Sequence, residues 1–515
     1  MAERDGMHPV SILFPAIMDA MPPPQDVSTL FADLAIDRIL AAVTAGFEAY
    51  DLKPLFSCVP HDRAVIDYRQ AVLRDTSDQT TGAVLRRFAT EMRRVREQAD
   101  FAEKSHYPHQ QAARFVTAIG HYCDGLVALA DGLDACSLYS KGLTTFRTAL
   151  REHVASPGFG TLRDGVAENR SALGAIRYTV LIRDSMVTVR DFEVEPDYNA
   201  VIAGLFAKFQ QGRVKSHEFE SNRSTVTMNH VEAEILNGVA LLNPPIFAKL
   251  HAFVASHRDF IDPVIRRFDR ESHFYIVWLD FTGRLAANGL DFCYPELVAD
   301  HVIRVTSGFD LALAEKLRVE KRHVVTNDFH LEDKERIFVV TGPNQGGKTT
   351  FARMVGQMHY FANLGCTVPG RSARLHLLDR IFAHFEREEV LTTLRGKLHD
   401  DLVRIRAILD AATSDSLIVL NEIFNSTALK DASFLAEAVL RRIIARGALA
   451  VCVTFMDELS VLGPETVSVT SMVQPDDPAE RSFKVVRRPA DGLAYALSIA
   501  EKYGVTYRRL KERRS

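Results

Sequence analysis

The sequence predicts an α/β domain in the C-terminal half, preceded by a mainly α-helical domain with a small β insertion. Three patterns lead to this fold class. Short β-branched runs alternate with helical segments from about residue 290 onward, as in α/β domains. Apolar residues recur at spacings of three and four from about 28 to 155, which indicates amphipathic helices. One stretch between the helical parts alternates with a period of two. We therefore predict an irregular lead-in at 1–40, a helical domain at 41–285 with a β-hairpin insertion around 170–195, and the α/β domain at 290–515.

The lead-in is predicted from the proline run Met21-Pro22-Pro23-Pro24. The helical domain is predicted from apolar residues at helical spacing, namely Val84, Leu85, Phe88, Met92 and Val95. The same segment carries five arginines, Arg86, Arg87, Arg93, Arg94 and Arg96. They fit a solvated helix face paired with Glu91 and Glu97, or a flank that contacts phosphates, and the sequence does not decide between the two.

The β insertion is predicted where Ile176, Tyr178, Val180 and Ile182 alternate with other residues, before a turn at 183–185. Residues 186–194 are again rich in β-branched side chains, so the pair forms a hairpin. Residues 210–227 are polar and loop-like. Helices then resume, stop at Pro244-Pro245 and continue to about 268.

Composition narrows the class of protein. A hydrophobic content of 47% and a charged content of 25% are typical of a soluble globular protein. The net charge of −4 argues against binding polyanions over the whole surface but permits a local basic groove. The six cysteines are scattered without a C-x-x-C pair, which disfavours disulfide frameworks and zinc sites and fits a reducing cytoplasm. With no apolar run of about 20 residues and no signal peptide, we expect a cytoplasmic protein without membrane association.

The segment 336–350, RIFVVTGPNQGGKTT, is the strongest functional signal. A buried strand at Ile337 to Val340 leads into a G-x-x-x-x-G-K-[ST] loop and then into helix-forming residues, which is the context of a P-loop. Glycines let backbone N–H groups approach a triphosphate, and the helix N-terminus adds partial positive charge. Lys348 is predicted to reach the β- and γ-phosphates, and Thr349 to offer its hydroxyl to Mg²⁺. The predicted ATP-binding residues are Gly342, Pro343, Asn344, Gln345, Gly346, Gly347, Lys348, Thr349 and Thr350.

Two further strands complete the predicted site. Residues 416–420, SLIVL, end in Asn421-Glu422, where P-loop enzymes hold Mg²⁺ and polarise the attacking water. Glu422 is the candidate general base, and Lys348 the second candidate catalytic residue. Asn421 is the candidate metal residue, acting through its neutral oxygen or a bridging water. The run 448–453 ends at Thr454-Phe455, where a residue that senses the γ-phosphate is expected, and Phe455 cannot do so by hydrogen bonding.

The C-terminal part of the chain carries three weaker predictions. Residues 470–488 are predicted to form a late β-hairpin, and 497–507 a short helix and turn. The terminal RRLKERRS is basic and fits a frayed, solvated tail better than a binding element.

The chain resembles the MutS mismatch-repair ATPases. Residues 341–350, TGPNQGGKTT, are similar to the family pattern TGPN-x-GGKST, and residues 325–328 resemble its adenine-side segment. Further matches are found at residues 365–369 (Q-x-G-x-x-V-P), 378–382 (D-x-I-F), 420–431 (D-E-I-G-R-G-T) and 492–504 (S-Y-G-x-x-V-A-x-x-A-G). Residues 69–72 lie where the family often has R-x-x-V. The resemblance covers about 290 to 510 through specific motifs, and 40 to 280 mostly through layout.

The resemblance implies an ABC-type, MutS-like ATPase fold for 290–515 and a core and lever domain with a reduced clamp before it. It also implies ATP and Mg²⁺ as cofactors and a homodimer formed through the ATPase domain. The implied partner is double-stranded or structured DNA, recognised by its backbone and shape. The sequence departs from the family at Asn421 (aspartate in the family), Phe455 (histidine), 396–398 (S-T-F) and 424–426 (G-R-G). The mismatch-reading N-terminal domain is expected to be absent, since few residues precede the helical core.

These departures leave two functions open. The first is a DNA-binding ATPase whose ATP binding and hydrolysis are coupled to clamping mismatched or structured DNA in repair or recombination, with turnover slowed by Asn421 and Phe455. The alternative is an ATP-gated interaction or scaffold protein with little or no hydrolysis. A transporter-type ATPase is disfavoured, because residues 399–413 lack a serine- and glycine-rich signature.

Overall fold

The computed structural model describes residues 7–8, 10–15, 27–183, 186–193, 228–386, 397–473 and 481–489. The α-helices within these residues are α1 (Ser28–Asp33), α2 (Ile36–Thr44), α3 (Lys53–Ser57), α4 (Arg63–Ser77), α5 (Gln79–Lys104), α6 (Pro108–Ala135), α7 (Lys141–Val154), α8 (Pro157–Ala175), α9 (His230–Leu242), α10 (Pro244–Ser256), α11 (Pro263–Ala286), α12 (Leu311–Val319), α13 (Lys348–Asn363), α14 (Lys397–Ala411) and α15 (Leu429–Arg446). The strands are β1 (Tyr178–Arg183), β2 (Met186–Asp191), β3 (Phe292–Cys293), β4 (Glu296–Val298), β5 (Ile303–Gly308), β6 (Asn327–Leu331), β7 (Ile337–Thr341), β8 (Val368–Pro369), β9 (Ser372–His376), β10 (Arg380–Phe385), β11 (Ser416–Asn421), β12 (Leu449–Val453), β13 (Thr466–Val473) and β14 (Arg481–Arg487).

The chain divides into two compact units. The first unit comprises Met1–His8, Ala83–Cys136 and Arg147–Asp269, and the second comprises Pro9–Gly82, Ser137–Phe146 and Arg270–Ser515. Three of the five boundaries fall within α5, α7 and α11. They do not coincide with the ranges 1–40, 41–285 and 290–515, and that division stays a prediction.

The described residues of the first unit form helices and their connections, apart from the hairpin β1–β2. The two strands pair antiparallel, from Tyr178 opposite Asp191 to Arg183 opposite Met186, so the predicted hairpin is confirmed. The helical pattern extends further than the sequence predicted, because α8 follows residue 155. Ser156 caps α8 by accepting a hydrogen bond from the Phe159 N–H at 3.2 Å, and Pro157 occupies the first turn.

The helices of the second unit correct two predictions. Helices α1 and α2 lie partly within the lead-in predicted as irregular; α2 forms because Ile36, Ile39, Leu40 and Val43 share one buried face. Helix α11 continues to Ala286, where the sequence predicted an end near 268. The run HFYIVWLDFT belongs to this helix, and its aromatic side chains are almost wholly buried.

A six-stranded sheet in the second unit carries the P-loop strand at its centre. The strand order is β10-β11-β12-β7-β13-β14. All neighbours are parallel except β13 and β14, which form the predicted late hairpin. The carboxyl ends of parallel strands meet at one edge of a sheet, so the residues after β7, β11 and β12 gather there.

A second sheet, in the order β4-β9-β5-β6, and the pair β3-β8 complete the second unit. In the described ranges, no single helix is long and apolar enough to cross a bilayer. The bent pair α9 and α10, with an angle of 106° between them, meets the length and composition criteria together. The predictions for 210–227, 497–507 and the terminal RRLKERRS lie outside the described residues.

Candidate functional site

The P-loop joins β7 to α13 as the sequence predicted. Helix α13 begins at Lys348, after Gly347 with a φ of +99°. Gly342 has a φ of +110°, and Gln345 also lies in the left-handed region at +59°. The backbone of the loop therefore depends on glycine at its first position and at the helix cap.

Strand β13 explains why two positions of the loop must be glycine. The register Thr470 opposite Thr341 brings Ser471 beside the loop. A Cβ on Gly342 would lie 2.5 Å from Ser471 Oγ and 2.7 Å from Ser471 O. A Cβ on Gly346 would lie 2.7 Å from the same Oγ. Real Cβ atoms do not approach so closely, so glycine at these two positions lets the loop pack on β13.

Lys348 is held by the loop itself. Its Nζ donates to Gly342 O at 2.9 Å, to Pro343 O at 3.2 Å and to Asn344 Oδ1 at 3.1 Å. Burial lowers the pKa of the Lys348 ammonium, the negative charge of Glu422 raises it, and the positive charge of Arg481 lowers it further. The ammonium is thus oriented on the loop, in the charge field of a nearby carboxylate.

The two predicted metal residues come together. Thr349 Oγ1 donates to Asn421 Oδ1 at 2.9 Å, from the start of α13 to the end of β11. Glu422 follows with a φ of +53°, and its N–H donates to Val453 O at 2.9 Å. An amide oxygen and a hydroxyl at this distance supply the neutral oxygen ligands that Mg²⁺ accepts directly or through water.

The position after β12 lacks a polar side chain toward the loop. Thr454 N–H donates to Val340 O at 3.0 Å, and its Oγ1 accepts from Met456 N–H at 3.1 Å. Phe455, the residue at the predicted sensor position, is about half exposed. A phenyl ring forms no hydrogen bond to a phosphate.

Two adjoining cavities surround the P-loop. One, of about 340 Å³, is lined by Asn344, Gln345, Lys348, Thr349 and Glu422, among others. The second, of about 260 Å³, is largely apolar and is lined by residues of α12, α13 and the segment 322–327. Leu313, Gly347, Thr350 and Phe483 line both. A polar cavity continuous with an apolar one suits the phosphates and the base of one nucleotide.

Three residues of the β13–β14 hairpin belong to this site although the sequence analysis did not single them out. Ser471 packs on the loop, Arg481 Nε donates to Asn344 O at 3.2 Å, and Phe483 lines both cavities. Asn327 holds the hairpin by accepting from Val485 N–H at 2.7 Å. The hairpin itself was predicted, but only the strand order shows that it lies beside β7.

The arginines of α5 divide into two groups. Arg94 pairs with Glu91 at 2.7 Å, and Arg96 pairs with Asp269 rather than with a glutamate of its own helix. Arg87 and Arg93 are exposed on α5. The solvated face paired with Glu91 therefore accounts for Arg94, while Arg96 pairs with the buried Asp269. The alternative of a phosphate-contacting flank stays open for Arg87 and Arg93.

One cluster away from the P-loop has the residue types of a metal site. His301, His376 and Asp415 place their ligand atoms within 4.8 Å of one another. The two imidazole rings, however, stack at 4.1 Å with an interplanar angle of 20°. Lone pairs lie in the ring planes, so those of stacked rings run side by side and do not converge on one ion. The geometry fits two histidines that share a carboxylate.

Comparisons with known proteins match the part of the chain that carries the P-loop. Residues 338–510 match the model of MutS domain V. The chain is 27% identical over 228 residues to a DNA mismatch repair protein MutS of Rickettsia bellii, covering 43% of this chain and 24% of that protein. It is 32% identical over 157 residues to the protein of the same name from Rickettsia rickettsii, covering 30% and 18%. The matched region thus spans a quarter or less of the length of these relatives. By these matches, the part of the chain that carries the P-loop, residues 338–510, belongs to the MutS family.

Proposed function

We propose that this chain is a MutS-type ATPase, which binds ATP with Mg²⁺ at the P-loop and couples binding and hydrolysis to clamping mismatched or structured DNA. The observation that carries the proposal is the 2.9 Å contact between Thr349 Oγ1 and Asn421 Oδ1, beside a cavity lined by Lys348 and Glu422. Four groups that nucleotide hydrolysis needs thus meet at one sheet edge.

Each group has a proposed role. The glycines of 342–347 cradle the phosphates through their backbone N–H groups, and Lys348 neutralises the β- and γ-phosphates. Thr349 and Asn421 hold Mg²⁺, which would neutralise charge that develops on the phosphate oxygens. Glu422 orients the attacking water and accepts its proton. The apolar cavity beside the loop receives the adenine, with Phe483 at the junction of the two cavities.

DNA is the proposed partner on the strength of the relatives, which are named as DNA mismatch repair proteins. With a net charge of −4, binding would depend on local basic patches, for which the exposed Arg87 and Arg93 are candidates. Contacts to phosphates position a protein on DNA without reading sequence, so we expect salt-dependent recognition of shape. We further propose an ABC-type fold for 290–515 and a homodimer through this domain. The six cysteines are free thiols, which fits the cytoplasm.

A second candidate is an ATP-gated interaction protein with little hydrolysis. The neutral Asn421 and the apolar Phe455 favour it, since both remove groups that stabilise charge during phosphoryl transfer. Glu422 favours the enzyme, because a site that only binds ATP has no need of a carboxylate that lines the phosphate cavity.

The test is ATP hydrolysis by the purified chain alone and with branched, mismatched and homoduplex DNA, at two salt concentrations. We expect turnover that changes with DNA, fades at high salt and is lost in Lys348→Ala and Glu422→Gln. Lys334→Ala, an exposed lysine on the same unit, is the matched control and should hydrolyse ATP as the wild type does. Tight ATP binding without turnover on any DNA would refute the enzyme and support the gated interaction protein. No nucleotide binding at all would refute both.

A further inference from the structure

We propose that Arg481 is a second cation of the phosphate site, which contacts the γ-phosphate of bound ATP from strand β14. This inference rests on the proposed ATP binding at the P-loop. By this contact Arg481 would make the site bind a triphosphate more tightly than a diphosphate, and would also support the hydrolysis step.

The backbone of β14 turns Arg481 toward the P-loop. Ser471 lies opposite Val485 and Val473 opposite Arg481, so the one residue between them on β13 faces three residues of β14 and the ladder is irregular there. Phe483, inside this irregularity, has a φ of +57°. Bulges of this kind bend a strand and re-aim its side chains, often next to active sites. Here the bend brings the backbone of Phe483 near Gly347 and leaves Arg481 facing Asn344.

Asn344 joins the two cations. Its backbone carbonyl accepts the Nε–H of Arg481 at 3.2 Å, and its side-chain Oδ1 accepts from Lys348 Nζ at 3.1 Å. The positive charge of Arg481 reaches Lys348, whose pKa it lowers. A guanidinium carries its N–H donors in a planar fork that matches phosphate oxygens, and the bond from Nε to Asn344 directs this fork at the loop. Arg481 is therefore held beside Asn344, the loop residue that also binds Lys348, and Lys348 is the proposed ligand of the terminal phosphates.

The cavity of about 340 Å³ beside the P-loop, here called the phosphate cavity, has few charged side chains, so a second cation near it would matter. Among the described residues that line the phosphate cavity, Lys348 is the only cation and Glu422 the only anion. Asn421 brings no charge, and Phe455 offers no donor. Charge spreads over the γ-phosphate oxygens during transfer, and an arginine placed there stabilises it without metal or proton chemistry.

The experiment compares ATP with ADP, each with Mg²⁺, in the full chain by isothermal titration calorimetry. We expect Arg481→Gln to weaken ATP binding by about tenfold or more and ADP binding by less than about threefold, since only ATP carries the contacted group. Arg481→Lys, which keeps the charge, should recover part of the loss. Arg487→Gln is the matched control, because Arg487 lies on the same strand and pairs with Glu335. It should change neither affinity.

The outcomes separate this inference from the function on which it rests. Equal losses for ATP and ADP in Arg481→Gln would show that Arg481 only positions the loop through Asn344, and would overturn the inference. No loss for either nucleotide would overturn it as well. A wild-type chain that binds neither ATP nor ADP would instead overturn the proposed function. Single-turnover hydrolysis provides the second readout: Arg481→Gln should be slowed even at saturating ATP, and an unchanged rate would overturn the catalytic part.

Discussion

Because the P-loop packs on Ser471, the substitutions Gly346→Ala and Gly342→Ala should weaken ATP binding to different extents. In Gly346→Ala the new Cβ would lie 2.7 Å from Ser471 Oγ, 3.0 Å from Pro343 O and 3.2 Å from Ser471 Cβ. The closest atom is thus the end of a small side chain. In Gly342→Ala the Cβ would meet Ser471 Oγ at 2.5 Å, but also the Ser471 carbonyl at 2.7 Å and its N at 3.0 Å, and φ is +110°. There the obstacle is the backbone.

The magnitudes follow from these contacts. One overpacked contact costs about 1–3 kcal/mol, so Gly346→Ala should weaken ATP binding by about 5- to 150-fold. Gly342→Ala adds backbone strain of about 1–3 kcal/mol and should lose more. Ser471 Oγ is buried and has no hydrogen-bond partner among the described residues, so Ser471→Ala alone should be close to neutral. It should restore at least about 1 kcal/mol in the Gly346→Ala background, and less in the Gly342→Ala background, where the backbone atoms of residue 471 still obstruct the Cβ.

The assay is a double-mutant cycle in which Mg·ATP affinity is measured by calorimetry and folding by thermal unfolding. Ser468→Ala is the matched control, because Ser468 lies on the same strand and its Oγ is likewise buried and unpartnered. It should rescue neither glycine variant. Equal rescue of both variants by Ser471→Ala, or no rescue of Gly346→Ala, would show that the loop is not shaped by this contact.

Two further predictions concern charge. Asn421→Asp places a carboxylate 2.9 Å from the Thr349 hydroxyl, where a unit charge about 4 Å from a cation gains roughly 4 kcal/mol before desolvation. The Mg²⁺ concentration that half-saturates ATP hydrolysis should fall about tenfold or more, while Asn288→Asp, an exposed site, should leave it unchanged. Burial raises the pKa of Asp269 to about 6 against the opposing charge of Arg96, so the folded state binds an extra proton between about pH 4 and pH 6. The contribution of Asp269 to the free energy of unfolding should therefore grow as pH falls from 7 to 4, by up to about 3 kcal/mol. Urea unfolding at several pH values should show this slope flattened in Asp269→Asn, and an unchanged slope would contradict the assignment.

The predictions that the structure confirms rest on patterns among residues that are close together in the sequence. The strand, loop and helix of the P-loop follow from residues adjacent in sequence, and the hairpin β1–β2 follows from alternation over a few residues. The sequence predicts too early an end for helix α11, because HFYIVWLDFT contains the apolar run FYIVWL. In such a run the helical and strand periods look alike. This part of helix α11 is buried on all sides, and Trp278 is 0% exposed. It therefore has no polar face, and a helical period is recognised in a sequence by the alternation of a polar and an apolar face.

The sequence does not predict that Ser471 and Arg481 belong to the site, and the reason here is their distance from the loop along the chain. Ser471 and Arg481 are about 130 residues from the loop they contact, and strand order alone brings them to it. Sequence periodicity predicts a hairpin but not which strand it joins. Asn327 shows the same limit, since its role of holding β14 through the Val485 N–H depends on a contact between distant strands.

An asparagine at the proposed metal position would leave the chemistry of the proposed site to Glu422. An amide oxygen accepts the Thr349 hydroxyl as a carboxylate would, so the geometry of the position survives while its charge is lost. Glu422 is then the only carboxylate among the described residues that line the phosphate cavity, and its charge offsets the effect of burial on Lys348. In the proposed site, Glu422 would thus both support the Lys348 ammonium and repel the phosphates that this ammonium attracts. Because ATP itself keeps Lys348 protonated once bound, the repulsion should dominate, and Glu422→Gln should bind ATP more tightly than the wild type while losing turnover. Weaker ATP binding in Glu422→Gln, measured by the same calorimetry, would mean that the support of Lys348 is the larger effect.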